Sequence, residues 1–196
     1  MFIGVVIVYN EEAFLADCLL PLQFCDRIII VDGAIKGFPH KKPYSTDGTL
    51  EIAKKFNCEI IRTDKAWEDE IAKRNAYLVG SEGDYYFQVD ADEVFCGKLP
   101  NLTEEVYQIE LRRLDGVAPY PIFRIFKHKK GIHYRGCHNA LFSNGELLNK
   151  KPMKTLEGCY LEHRTTLRSD ERKRDKGIYL RKLWLKERDF REGNNL

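Results

Sequence analysis

Four apolar, strand-like runs separated by stretches of helical periodicity limit what this chain can become. FIGVVIV (2–8) is continuous, β-branched and uncharged, the pattern of a strand buried on both faces. DRIIIVDG, CEIIRTD and DYYFQVD follow, the first ending in Asp32, the second in Asp64 and the third in Asp90. NEEAFLADCLLPL lies between the first two runs, with Asn10 as its expected N-cap and apolar residues at helical spacing. STDGTLEIAKKF and EDEIAKRNAYLVG, the next two intervals, also predict helices. The β-α-β-α-β-α-β order implies an α/β chain with a Rossmann-like, mostly parallel sheet and helices on both faces.

After residue 96 the alternation stops. LTEEVYQIELRRL (102–114) predicts a helix whose end could be extended, and PIFRIFKH, IHYRGCHNALF and LEGCYLEHR read as strands. SDERKRDKGIYLRKLWLKERDF predicts a final basic helix capped by Ser169. No repeat or linker divides the chain, so one domain spanning 1–196 is expected: a first half, 1–96, and a mixed α+β second half, 97–196.

Charge separates the halves. Residues 121–196 hold 19 Lys and Arg against 9 Asp and Glu, leaving 13 against 21 in residues 1–120. The basic part is expected to solvate a helix face or to meet anionic groups or a membrane surface. No window reaches the ~18 apolar residues of a membrane span. The N-terminal run reads as a strand, not a signal peptide. Six cysteines without a CxxC pair suit reduced thiols in a cytoplasmic protein.

In a parallel sheet the ligand crevice lies outside the carboxyl ends of the strands. Asp32, Asp64 and Asp90 end strands at that edge, and Asp92 and Glu93 follow. Asp90 and Asp92, two apart in extended chain, face the same way, and a cation would relieve their repulsion. Hard oxygen ligands suit Mg²⁺ or Mn²⁺ completed by substrate phosphates. No GxGxxG or GxxxxGK loop is present to cradle phosphates.

VVIVYNEEAFLADCLLPL, IIIVDG, STDGTLEIAKKF, AKRNAYLVG and GDYYFQVDADEVF, in this order over about residues 3–95, resemble the family 2 glycosyltransferases of GT-A fold. The resemblance implies an inverting transfer of a sugar from a nucleotide diphosphate sugar, a UDP-sugar being favoured, with Mn²⁺ or Mg²⁺. It places Asp32 on the base, Tyr9 and Asn10 in the loop lining it, and Arg74 near the nucleotide. Asp92 becomes the direct metal ligand, with Asp90 nearer ribose or metal. Asp64, from its place at the strand-end edge, is expected to bind the nucleotide as well. A late histidine, matched by His163, would also bind the metal.

The chain departs from the pattern twice. AIKGFPHKKPY (34–44) is inserted after Asp32, where it would cover the donor, touch the acceptor or form a surface loop. His138-Asn139 stands where relatives acting on lipopolysaccharide or similar acceptors carry His-Glu, and Asn cannot act as a base. The acceptor's proton then needs another group among His133, His138, Glu157, Glu162 and His163. His138 is expected as the base, with Glu162 as the carboxylate alternative. The acceptor is a glycan or a lipid-linked molecule, with peripheral membrane contact through the basic C-terminal helix and no nucleic-acid partner. Two other readings stand beside this one: a non-catalytic nucleotide-sugar-binding domain, and a haloacid-dehalogenase-like phosphatase suggested by DADEV.

Overall fold

The computed structural model describes residues 1–136, 140–148, 153–164 and 167–193, the last eleven of these as backbone. The first half alternates as the sequence predicts: β1 (Phe2–Val8), α1 (Glu12–Leu19), β2 (Arg27–Asp32), α2 (Thr49–Lys55), β3 (Glu59–Ile61), α3 (Glu70–Ala76) and β4 (Tyr85–Gln88). β5 (Glu93–Gly97), β6 (Val106–Arg113), β7 (Tyr120–Lys127), β8 (His133–Arg135), β9 (Ala140–Ser143), β10 (Glu146–Leu147), β11 (Lys154–His163) and α4 (Asp170–Gly193) follow.

Eight strands form one sheet in the order β3-β2-β1-β4-β7-β6-β11-β5. The first four are mutually parallel. β7 pairs antiparallel with β4 and β6, β6 runs parallel to β11, and β5 closes the edge antiparallel to β11. The chain steps outward from β1 through β2 to β3, then returns to place β4 on the other side of β1. That reversal opens a crevice at the carboxyl ends of β1 and β4.

Alternation along the strands builds two cores. Val6, Val8, Ile28, Ile30 and Phe87 pack against Leu15, Leu19 and Leu22 of the α1 segment on one face. Ile3, Val5, Ile29, Val31 and Tyr86 pack on the other against Tyr77 after α3 and against Tyr134 and Leu141 of the small antiparallel sheet β10-β9-β8. β1, β2 and β4 are thus covered twice, which is why their sequences carry no solvated face, whereas the edge strand β3 leaves Glu59 exposed.

Two expectations are corrected. Residues 102–114 do not form a helix. Tyr107, Ile109 and Leu111 are buried while Gln108 and Glu110 are half-buried, a period of two that β6 satisfies between β7 and β11. Asn10 does not cap α1. It adopts a left-handed backbone (φ 53°), and its Oδ1 accepts from Thr46 N at 2.9 Å, tying this turn to the loop before α2. α4 does start as expected, with Arg172 N donating to Ser169 Oγ at 3.3 Å.

The β5–β11 edge depends on a close backbone approach. A Cβ on Gly97 (φ +101°) would lie 2.3 Å from the Gly158 carbonyl oxygen, whereas one on Gly83 (φ +97°) would meet nothing within 4 Å. Both positions strain an alanine's backbone, but only Gly97 adds a clash with fixed main chain. Gly97→Ala is therefore expected to cost roughly 1–3 kcal/mol more than Gly83→Ala, the range for forced overpacking. Urea unfolding midpoints measure this, and equal losses would contradict the packing of this edge.

Candidate functional site

A cavity of about 190 Å³ opens at the reversal point, lined by Val8 and Tyr9 after β1, Gly33 and Ala34 after β2, and Asp90 and Asp92 after β4. α3 supplies Glu70, Lys73 and Arg74, the loop before α4 supplies Arg168, and α4 supplies Arg172, Lys173 and Lys176. Ile35 and Phe38 of the 34–44 insertion and Tyr179 and Leu180 of α4 make its apolar side, Phe38 meeting Tyr179 edge-on at 6.0 Å.

α3 is aimed by its cap: Asp69 Oδ1 accepts from Ala72 N at 2.7 Å. Lys73 Nζ then donates to Val8 O at 2.8 Å and Gly33 O at 2.6 Å, joining the ends of β1 and β2. Its burial pulls the amine down to about 7. Arg74, also buried, donates to Glu70 Oε1 at 2.6 and 2.9 Å and lies 3.8 Å from Asp90. Its Nη1 has no hydrogen-bond partner among the described residues.

The acids after β4 are held by a turn, Glu93 N donating to Asp90 O at 2.8 Å and Asp90 N to Glu93 Oε2 at 2.9 Å. Arg124 of β7 lies beneath it, 3.0 Å from Asp90 and 2.5 Å from Glu93. The turn corrects the expectation of extended chain, and Asp90 and Asp92 engage different partners. Asp92 Oδ2 accepts from Arg168 Nε at 2.7 Å and lies 3.3 Å from His163 Nε2. Arg168 Nη1 is 2.8 Å from Glu11, and Arg172 Nη2 donates to Glu11 Oε1 at 2.5 Å and Tyr9 O at 2.9 Å.

Opposed forces set the acidities. Burial alone would raise Asp92, but hydrogen bonds from His163 and Arg168 outweigh it and hold the carboxyl far below its usual range. Asp90 is also lowered, burial being overcome by Arg124 and Arg74. Glu93 and Glu11 are raised, because burial outweighs Arg124 at the first and Arg168 and Arg172 at the second.

Of the residues expected from sequence, Tyr9, Arg74, Asp90 and Asp92 line the cavity, and His163 lies against Asp92. Asp32 is fully buried and accepts from Ser45 N and, at 2.6 Å, from Ser45 Oγ, so its carboxylate anchors the end of the insertion. Asn10 serves the turn described above. Asp64 is exposed because β3 ends at Ile61, three residues before it. Glu162 is not among the cavity-lining residues and accepts from Arg164 Nε at 2.8 Å. His133 and Glu157 are exposed, and His138 lies outside the described residues.

The residues sequence reasoning missed are Glu11, Lys73, Arg124, Arg168, Arg172, Lys173 and Lys176. Two signals pointed to some of them: a lone arginine inside the apolar run PIFRIF, and Arg172 and Lys176 four apart on the basic helix with Arg168 just before it.

No family model and no curated protein matches the chain. Among solved structures it is similar to S. aureus TarS residues 1–349, with TM-score 0.45 and 20% identity over 60% of this chain and 37% of that one. TarS 1–349 has also been solved in complex with UDP-GlcNAc and with UDP. A second similar structure is glucosyl-3-phosphoglycerate synthase from Mycobacterium tuberculosis in complex with phosphoglyceric acid, with TM-score 0.39 and 15% identity over 59% and 45% of the two chains. The chain thus spans less than half the length of each of these structures.

The site fits a divalent cation poorly. Among the described residues no three His, Cys, Asp or Glu side chains converge, so an ion here would need substrate phosphates to complete its shell. The closest pair, Asp92 and His163, shares its carboxylate oxygen with a guanidinium. Nor do Asp90 and Asp92 suit the phosphatase reading, since they follow the fourth strand and both are ion-paired.

Lys73 gives the site a pH signature. The unfolded chain keeps this proton to about pH 10.4, the folded chain only to about 7. Between these values the unfolded state binds more protons, so stability rises with pH. Relative to Lys73→Met, the wild type should gain up to about 1.4 kcal/mol per pH unit from pH 7 towards 10. Denaturant unfolding at several pH values tests this, and parallel profiles for the two proteins would contradict it.

Proposed function

We propose that the chain binds a nucleotide diphosphate sugar in the cavity at the ends of β1, β2 and β4 and transfers the sugar, with inversion, to an acceptor hydroxyl. The observation that carries this reading is the pairing of two sets of groups in one crevice. Arg74, Arg172, Lys173 and Lys176 supply positive charge for a diphosphate, and Asp90 beside them supplies a carboxylate for sugar hydroxyls. Asp90 is about one-third exposed and ionised, so it can accept such hydrogen bonds. Ile35, Phe38 and Tyr179 offer the apolar surface that a nucleobase needs.

In this reading the chemistry is electrostatic. As the glycosidic bond breaks, charge grows on the leaving diphosphate, and fixed guanidinium and ammonium groups stabilise it without reorganising. The proton of the attacking hydroxyl goes to a base, a role this reading leaves with His138. The insertion and α4 meet through Phe38 and Tyr179 along the apolar side of the cavity, which screens a donor from water on that side. The acceptor is a glycan or lipid-linked hydroxyl compound. Exposed Ile178 and the basic residues of α4 favour peripheral contact with an anionic membrane, and no helix among the described residues is long and apolar enough to cross one.

A thermal-shift screen of nucleoside diphosphates and their sugar esters tests the binding. A true ligand at a hundredfold its Kd stabilises the fold by about 2.7 kcal/mol. With the best donor, Asp90→Asn should slow release of free nucleotide by roughly a hundredfold, as loss of one site-aimed polar group does. A screen without any shift, or an Asp90→Asn protein with wild-type turnover, would contradict the proposal.

A further inference from the structure

The carboxylates Asp92 and Glu11 are buried, with 4% and 6% of their side chains exposed, and each meets a guanidinium. Arg168, itself 11% exposed, forks between them: Nε reaches Asp92 at 2.7 Å and Nη1 reaches Glu11 at 2.8 Å. Its guanidinium also lies 5.1 Å from the centre of the Phe14 ring, which holds the fork from a third side. Arg172 completes the pairing on Glu11. Two buried negative charges thus meet two fixed positive ones, and Arg168 sits on the same Asp92 oxygen that His163 approaches.

A Mg²⁺-sized ion binds its oxygen ligands at about 2.0–2.1 Å. Placed on Asp92 Oδ2 it would stand against a guanidinium nitrogen 2.7 Å from that same oxygen. Entry of the ion at Oδ2 requires Arg168 to leave that oxygen, which strands Glu11 in a buried site with half its compensation. We propose that Arg168 takes the place of a divalent cation in this protein, so that a nucleoside diphosphate binds without metal. Arg172 and Lys176 lie four apart on α4, Arg168 stands in the loop two residues before it, and all three line the cavity. They form a row of covalently held cations, the outer members meeting the phosphates and Arg168 neutralising the acids behind them. Arginine suits this position because it stays charged at every working pH and bridges two carboxylates with separate nitrogens.

The inference rests on the nucleotide reading above, and one experiment separates the two. Calorimetric titration of the full chain with UDP, GDP, CDP, ADP and dTDP is run once in EDTA and once in excess Mn²⁺. The best binder should show affinities within about twofold in the two conditions. In EDTA, Arg168→Gln should weaken that binding at least tenfold, about the value of one charged hydrogen bond. Tenfold tighter wild-type binding with Mn²⁺ overturns the inference and leaves the nucleotide reading standing. Undiminished binding by a folded Arg168→Gln protein in EDTA does the same. The wild-type comparison decides the matter if the variant does not fold. Failure of all five nucleotides in both conditions overturns the nucleotide reading, and the inference with it.

Discussion

The acids gathered at the carboxyl edge of the sheet must be compensated within the fold, and the rest of the site follows from how this is done. Glu11, Asp90, Asp92 and Glu93 lie within one crevice, and all but Asp90 are buried. Left alone they would repel one another and resist desolvation. Arg124 meets two of them from below, and Arg168 and Arg172 meet the others from above. Removing one partner from such a buried pair typically costs about 3–5 kcal/mol, so these arginines are structural requirements as well as candidate ligand groups.

This compensation explains why the two halves differ in charge. The acids come from the first 96 residues, whereas Arg124, Arg168 and Arg172 come from the second half. The basic excess of the second half is therefore partly spent inside the molecule. β7 makes the lower contact possible: it inserts antiparallel beside β4, which sets Arg124 under the turn. α4 makes the upper contact by running past the cavity mouth, where Tyr179 packs on Phe38 of the insertion. The insertion is itself held at its base by Ser45 on Asp32 and by Trp67, whose Nε1 donates to Asp32 O at 2.8 Å.

Much of this was legible in the sequence. The order of strands and helices through β4 follows from continuous apolar runs alternating with helical spacing, and the parallel sheet places Asp90 and Asp92 at the crevice. What the sequence hid is tertiary. Asp32 reads as a ligand group because nothing local shows that Ser45 will consume it. Lys73 reads as one more solvated helix lysine until β1 and β2 end beside it. β6 reads as a helix because Thr103, Glu104 and Glu105 imitate a helix start, and only its pairing on both sides lets the weaker two-residue alternation win. Arg168 lies 76 positions from Asp92, and no spacing rule joins residues so far apart.

The central claim, that the chain's own arginines neutralise the acids of the site, is tested most directly by a double-mutant cycle on Asp92 and Arg168. Asp92→Asn, Arg168→Gln and the combination are compared with the wild type by urea unfolding. Close, desolvated charge pairs couple by about 1.5 kcal/mol or more, well above the ~0.3–0.5 kcal/mol seen between independent sites. A favourable coupling of about 1.5 kcal/mol or more is the predicted result. Additive losses within that lower range would show that Arg168 does not compensate Asp92, and would contradict this account of the site.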